Sequence, residues 1–147
     1  MQPIVIDGEE LIIVLESNDP DGRFYLDRET GEVHVEINEA VVGVVEGEEI
    51  DFTTERFVLI EPVPSYVGWR IMRNFIESLP AGPAAMQLAH AIEGKSAFRR
   101  FKDVLLNYPK LREQWFQFHA DAFYTIAEAW LRDAGIEAVL HRRQAAR

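Results

Sequence analysis

Cysteine is absent from the 147-residue chain, which excludes disulfides and thiolate metal sites. Long apolar runs are absent too, since none approaches the about 18 residues that a membrane helix needs. No basic-then-apolar leader is visible at the N-terminus. The expectation is a bacterial-type cytoplasmic protein without membrane association. No serine stands in a G-x-S-x-G setting, the context of one large class of hydrolases. Ser17, Ser65, Ser78 and Ser96 read instead as caps or loop residues. Gly94-Lys95-Ser96 is like the end of a Walker A loop, but Ala89 stands where the first glycine belongs, so a P-loop is excluded. Bases are scarce in the first half. Residues 1–64 hold 17 Asp or Glu against 3 Arg or Lys, a balance of −14. Residues 65–147 hold 8 acids and 12 bases, a balance of +4. The chain as a whole carries −10, which opposes non-specific contact with nucleic acid.

Apolar residues make up 48% and charged residues 27%, ordinary values for a folded globular chain. The length fits one domain with its own core. Residues 1–64 are expected to form an acidic, mostly β half, residues 65–137 a helical half, and residues 138–147 a basic tail. There is no internal repeat and no low-complexity tract.

Pro3 to Ile6 reads as a strand. Asp7-Gly8-Glu9-Glu10 reads as a helix start, with Asp7 as cap and two acids suited to the helix dipole. Leu11, Ile12 and Leu15 give that helix an apolar face. The competing reading is a strand, because Ile12-Ile13-Val14 is β-branched. Ser17 to Gly22 is a loop. Phe24 and Leu26 alternate with polar neighbours, as do Val33, Val35 and Ile37. Between them Asp27-Arg28-Glu29-Thr30-Gly31 predicts a hairpin turn, with Gly31 at positive φ and the Asp27 carboxylate on turn amides. Asp27 and Glu32 are read as turn and edge residues rather than an acid–base pair. Val41 to Val45 suggests a strand, with a bulge at Gly43 and a turn at Glu46-Gly47-Glu48. Arg56 to Ile60 is a further strand, ended by Pro62 and Pro64.

From Ser65 the apolar period becomes helical. Trp69, Met72, Phe75, Ile76 and Leu79 mark a helix that Ser65 is expected to cap. Leu79-Pro80-Ala81-Gly82-Pro83 breaks it. A short helix over 84–93 ends at Gly94. A third starts at Ser96, as cap, with Phe98, Phe101, Leu105 and Tyr108 on one face. A fourth runs from about Pro109 to Ala134, stopped by Gly135. Its expected stripe is Leu111, Trp115, Phe118, Ala122, Ile126 and Ala129, flanked by Phe116, Phe123 and Trp130. The fold class is therefore α+β: a small antiparallel hairpin-based sheet packed on a C-terminal bundle of four helices.

The densest basic cluster, Lys95, Arg99, Arg100 and Lys102, is interleaved with Phe98 and Phe101. Cations at a helix start oppose its dipole, so helix stability does not explain them. Either Arg99 or Arg100 pairs with the acidic half, or the cluster faces an anionic partner. His90 and Glu93 share a helix face and His119 can join them across a helix pair, a weak metal candidate. A hydrogen-bonded core histidine is the commoner role for His119.

The pieces Tyr25-Leu26-Asp27, Thr30-Gly31-Glu32-Val33, Met72 with Phe75-Ile76, Gly94 to Asp103 (GKSAFRRFKD), Trp115, and Trp130-Leu131 with Gly135-Ile136 run in order across residues 8–137. In these the chain resembles the bacterial uncharacterised protein family 0158. The resemblance implies the architecture and singles out residues 94–103. It implies no activity, cofactor or catalytic residue. Residues 39–55 are where the chain is expected to follow the family least closely.

The functional expectation is a non-enzymatic cytoplasmic binding or regulatory module, without a cofactor, whose basic surface on the helical half takes a protein or another anionic ligand. The alternatives are nucleic-acid binding through the same cluster, which the acidic balance makes less favoured, and a metal-dependent enzyme using His90, Glu93 and His119. Oligomeric state is not legible in the sequence.

Overall fold

A computed structural model describes residues 4–17, 22–37, 40–42 and 51–142. The expected strand at Gly43 to Val45, the turn at Glu46-Gly47-Glu48 and residues 143–147 of the basic tail lie outside the described residues.

β-branched Ile4-Val5-Ile6 opens the chain as strand β1 (Ile4–Asp7). Asp7 then accepts hydrogen bonds from the backbone N–H groups of Glu9 at 3.0 Å and Glu10 at 3.4 Å, capping α1 (Gly8–Leu15). The helix reading at this ambiguous stretch is correct. Leu11, Ile12, Val14 and Leu15 are buried and Ile13 is exposed. A cap and one apolar stripe outweigh the β-branched preference here.

The hairpin pairs β2 (Gly22–Asp27) with β3 (Val33–Ile37), in the register Phe24 to Val35 and Leu26 to Val33. Gly31 takes φ +80°, as its turn requires. Two further strands, β4 (Ala40–Val42) and β5 (Phe57–Ile60), complete a four-stranded sheet in the order β4-β3-β2-β5. All its pairings are antiparallel.

Four helices follow, as expected: α2 (Ser65–Ser78), α3 (Pro83–Ala91), α4 (Ala97–Leu105) and α5 (Pro109–Asp133). The class is α+β. Ser65 is not a cap. It is the first helical residue, Pro64 holds the cap position, and no side chain bonds the free amides there. The second helix starts one residue earlier than expected because Pro83 fits the first turn, and it closes at Ala91 before a turn through Gly94.

Residues 138–147 are not wholly a tail. Ala138–His141 form β6, which runs parallel to β1 with Val5 opposite Val139. The chain accordingly divides into two compact units. One holds residues up to Val63 together with Tyr124 onward, and the other holds Pro64–Phe123. In the first, Ile6, Leu11, Leu15, Leu26 and Ile60 are almost wholly shielded from solvent. In the second, the core is aromatic. Phe75, Phe101 and Trp115 meet edge-on, with ring centroids 4.7 Å apart for Phe101–Trp115 and 5.4 Å for Phe75–Trp115. Phe118 lies 5.3 Å from Phe75, though it is only half-buried.

The expected stripe on α5 is displaced. Trp115 is buried as expected, but the buried positions further on are Phe123, Tyr124, Ala127 and Leu131 rather than Ala122, Ile126 and Ala129. At about 100° per residue the buried face turns by roughly a third of a circle along the helix. Among the described residues no helix is long and apolar enough to cross a membrane.

Candidate binding surface

Helix α4 buries Ala97, Phe101 and Leu105, spaced four apart. Its opposite face exposes Phe98, Arg99, Lys102, Asp103 and Leu106. Phe98, Lys102 and Leu106 therefore form one outward row at i, i+4 and i+8. The loop before the helix carries Gly94 at φ +80° and Ser96 at φ 60°, ψ 33°. Ser96 holds the cap position, yet its side chain makes no capping bond. A capping serine is normally extended, whereas this one is left-handed. The expected serine cap is thus replaced by a tight turn that costs about 1 kcal/mol or more in backbone strain.

The basic cluster separates by position. Arg100 is half-buried and donates through Nη1 to the Glu93 carbonyl at 3.0 Å and through Nη2 to the His90 carbonyl at 3.5 Å. It thereby adds to the Glu93 N–H that the His90 carbonyl already accepts and braces the turn after α3, where positive charge suits the dipole. Lys95, Arg99 and Lys102 are exposed. Among the described residues none of the four basic side chains forms an ion pair, so the pairing expected of Arg99 or Arg100 is not found there.

Two clefts adjoin this face. The first, about 560 Å³, lies between the start of α2 and residues 94–99, with Tyr66, Trp69, Phe98 and Arg99 in its lining. Trp69 is fixed by its indole N–H, which donates to the Ile92 carbonyl at 2.9 Å. Gly68 lets the Phe98 ring approach so closely that a Cβ there would sit 2.9 Å from it. Arg70 lies 5.0 Å over the Tyr66 ring. The second cleft, about 240 Å³, lies between the end of α4 and the start of α5, lined by Lys102, Asp103, Leu106, Arg112, Trp115 and Phe116. Arg112 lies 5.0 Å over Phe116. The large apolar side chains exposed within residues 64–123 are Tyr66, Met86, Phe98, Leu106 and Phe116. All but Met86 line one cleft or the other.

The weak metal candidates do not converge. His90 Nδ1 and Glu93 Oε2 are 3.6 Å apart, as a solvent-exposed i, i+3 pair. The His119 ring sits against Trp115 at 5.3 Å and Phe123 at 4.9 Å. Among the described residues no three metal-ligating side chains come together.

One polar cluster was not legible in the sequence as a cluster. Asp27 Oδ1 accepts from the Glu29 N–H at 2.9 Å, the Thr30 N–H at 3.4 Å and Arg56 Nε at 2.9 Å. Its Oδ2 accepts from Arg56 Nη2 at 2.8 Å, and His34 Nε2 lies 3.8 Å away. Burial pushes the Asp27 carboxyl up. The Arg56 hydrogen bonds, the Glu29 amide, Thr30 and the Arg56 charge outweigh it and hold the pKa at about 2, below the usual 3.8. A carboxylate so committed is a poor proton acceptor near neutral pH. It ties the hairpin turn to β5, in line with its reading as a turn residue. Asp27 is opposite Phe57 in the sheet, so Arg56 arrives through pairing between distant strands, which no local pattern encodes.

The fold and surface define an α+β protein with a cationic, aromatic-flanked helix face. A model of the Uncharacterised protein family (UPF0158) matches residues 1–145, and the chain belongs to that family. It is similar to "UPF0158 protein PA5073" of Pseudomonas aeruginosa, at 29% identity over 141 residues that cover 93% of this chain and 88% of the relative. No solved structure matches. The family carries no established activity.

Proposed function

We propose that this protein is a non-enzymatic, cytoplasmic binding module with a regulatory role, which holds an anionic partner on the exposed face of α4. The observation that supports this is Arg99 and Lys102, exposed and without an ion pair among the described residues, beside the exposed side chains of Phe98 and Leu106. Arg99, in the first turn of α4, is electrostatically unfavourable for the helix itself, whereas Lys102 falls in the last turn, where a cation suits the dipole. A partner's carboxylates turn that cost into attraction and speed the encounter. Arg100 is assigned a positioning role, because its guanidinium is already spent on the end of α3.

The test is fluorescence anisotropy with labelled poly-glutamate at low salt, on wild type and on the double variant Arg99→Glu with Lys102→Glu. Wild type is expected to bind. The double variant is expected to lose about tenfold or more in affinity while melting like wild type. Absence of binding by wild type, or equal binding by both proteins, contradicts the reading.

A further inference from the structure

Resting on that reading, we infer that the occupant of this face is an acidic amphipathic helical segment of a partner protein, with two apolar anchors bracketing its carboxylates. The row Phe98–Lys102–Leu106 sets an apolar side chain at each end and a cation between them. With a rise of about 1.5 Å per residue, the two ends are ~12 Å apart. Each end opens onto its own cleft, through Phe98 at one and Leu106 at the other. An occupant that fills both clefts therefore carries apolar side chains at that separation, which a helix supplies at i and i+8. Between them it carries acids to meet Lys102 and Arg99.

The flanking residues fit a protein partner. Arg70 on Tyr66 and Arg112 on Phe116 place planar guanidinium groups beside exposed rings. Arginine and aromatic side chains are enriched at protein interfaces and among the residues that dominate their energy. A guanidinium held over a ring is also partly ordered before a carboxylate arrives, so less entropy is lost on binding. The same details count against single-stranded nucleic acid. One face of each of those two rings is already covered by a cation, where a base would stack. Leu106 offers no stacking surface. The chain's −10 balance repels a long polyphosphate more than a short acidic segment.

The test uses the full chain and four fluorescent probes. The first is a helical peptide with leucines eight residues apart and glutamates between them. The second has the same composition with the leucines adjacent. The third is poly-glutamate, and the fourth is a single-stranded oligonucleotide. The first peptide is expected to bind most tightly, about tenfold better than its rearranged control. Leu106→Ser and Phe116→Ser are each expected to weaken the first peptide by about tenfold, and to weaken it more than they weaken poly-glutamate. Both side chains are exposed, so the variants should fold, and Leu106→Met should restore binding. Equal affinity for the two peptides, no effect of either serine variant, or tighter binding of the oligonucleotide overturns the inference. If poly-glutamate still binds and is still released by charge reversal at Arg99 and Lys102, only the choice of partner falls. If no anionic probe binds wild type, the underlying reading falls with it.

Discussion

Asp27→Asn is the change that separates charge from shape at the hairpin. The Asp27 side chain is about 2% exposed and that of Arg56 42%, so the carboxylate has little water to fall back on. Its pKa is held at about 2 against the usual 3.8. Each unit of displacement is about 1.36 kcal/mol, so the ionised form contributes roughly 2–2.5 kcal/mol to folding. The folded pKa lies below the unfolded one, so this contribution is complete above the unfolded value. It is lost as pH falls from about 4 through about 2. Asparagine removes the same charge at every pH. Urea unfolding of both proteins should therefore show a gap of roughly 2–2.5 kcal/mol at pH 7. The gap should narrow through the acidic range and nearly vanish by about pH 2. The difference is the informative quantity, because the chain's other carboxylates titrate in both proteins. A gap below about 0.5 kcal/mol at pH 7, or one that stays constant down to pH 2, refutes the argument.

Gly31→Val should cost about 3 kcal/mol or more, because φ is +80° and a Cβ would lie 2.5 Å from the Val5 carbonyl oxygen; a near-native thermal melt contradicts this. Trp115→Ala should cost about 3–5 kcal/mol, since the ring is buried between Phe75 and Phe101, whereas the exposed Phe116→Ala should cost under about 1 kcal/mol; urea midpoints read both. Arg100→Ala should cost about 1 kcal/mol through the hydrogen bonds it loses to the Glu93 and His90 carbonyls, and Arg99→Ala within about 0.5 kcal/mol of nothing; equal melting of the two variants would deny Arg100 its positioning role.

Legibility in the sequence followed the range of the interactions. The Asp7 cap, the Gly31 turn and the stop before Gly135 depend on residues a few positions apart, and all three stand where their chemistry placed them. Misreadings came where distant segments decide. Ala138–His141 becomes a strand because Ile4–Asp7 offers a parallel edge, and nothing local to residues 138–141 announces that partner. Helix α5 carries apolar residues on so many sides that its sequence admits several stripes. The choice falls to Trp115 in one unit and to Tyr124, Ala127 and Leu131 in the other. Ser65 and Ser96 show the converse limit. Both have the composition of caps, but Pro64 takes the cap position from one, and a left-handed turn removes the geometry from the other.

The basic cluster was legible as a cluster and misleading as a unit. Arg99 and Arg100 are neighbours in the chain, yet a helix turns about 100° between them. That turn sends one guanidinium onto the carbonyls of α3 and the other into solvent. Lys102 belongs with Arg99 by exposure, and with Phe98 and Leu106 by its place in the outward row. The surface so defined takes Tyr66 from α2 and Arg112 and Phe116 from α5, which sequence periodicity would assign to a core or leave unmarked. Phe116 shows why. Seven residues before Phe123, it reads as part of the same buried stripe, but the buried face of α5 has not yet turned toward it, and Arg112 covers its ring instead. A binding reading of the cluster has to be made residue by residue: Arg100 holds the scaffold, and Arg99 and Lys102 are left to meet whatever the flanking clefts receive.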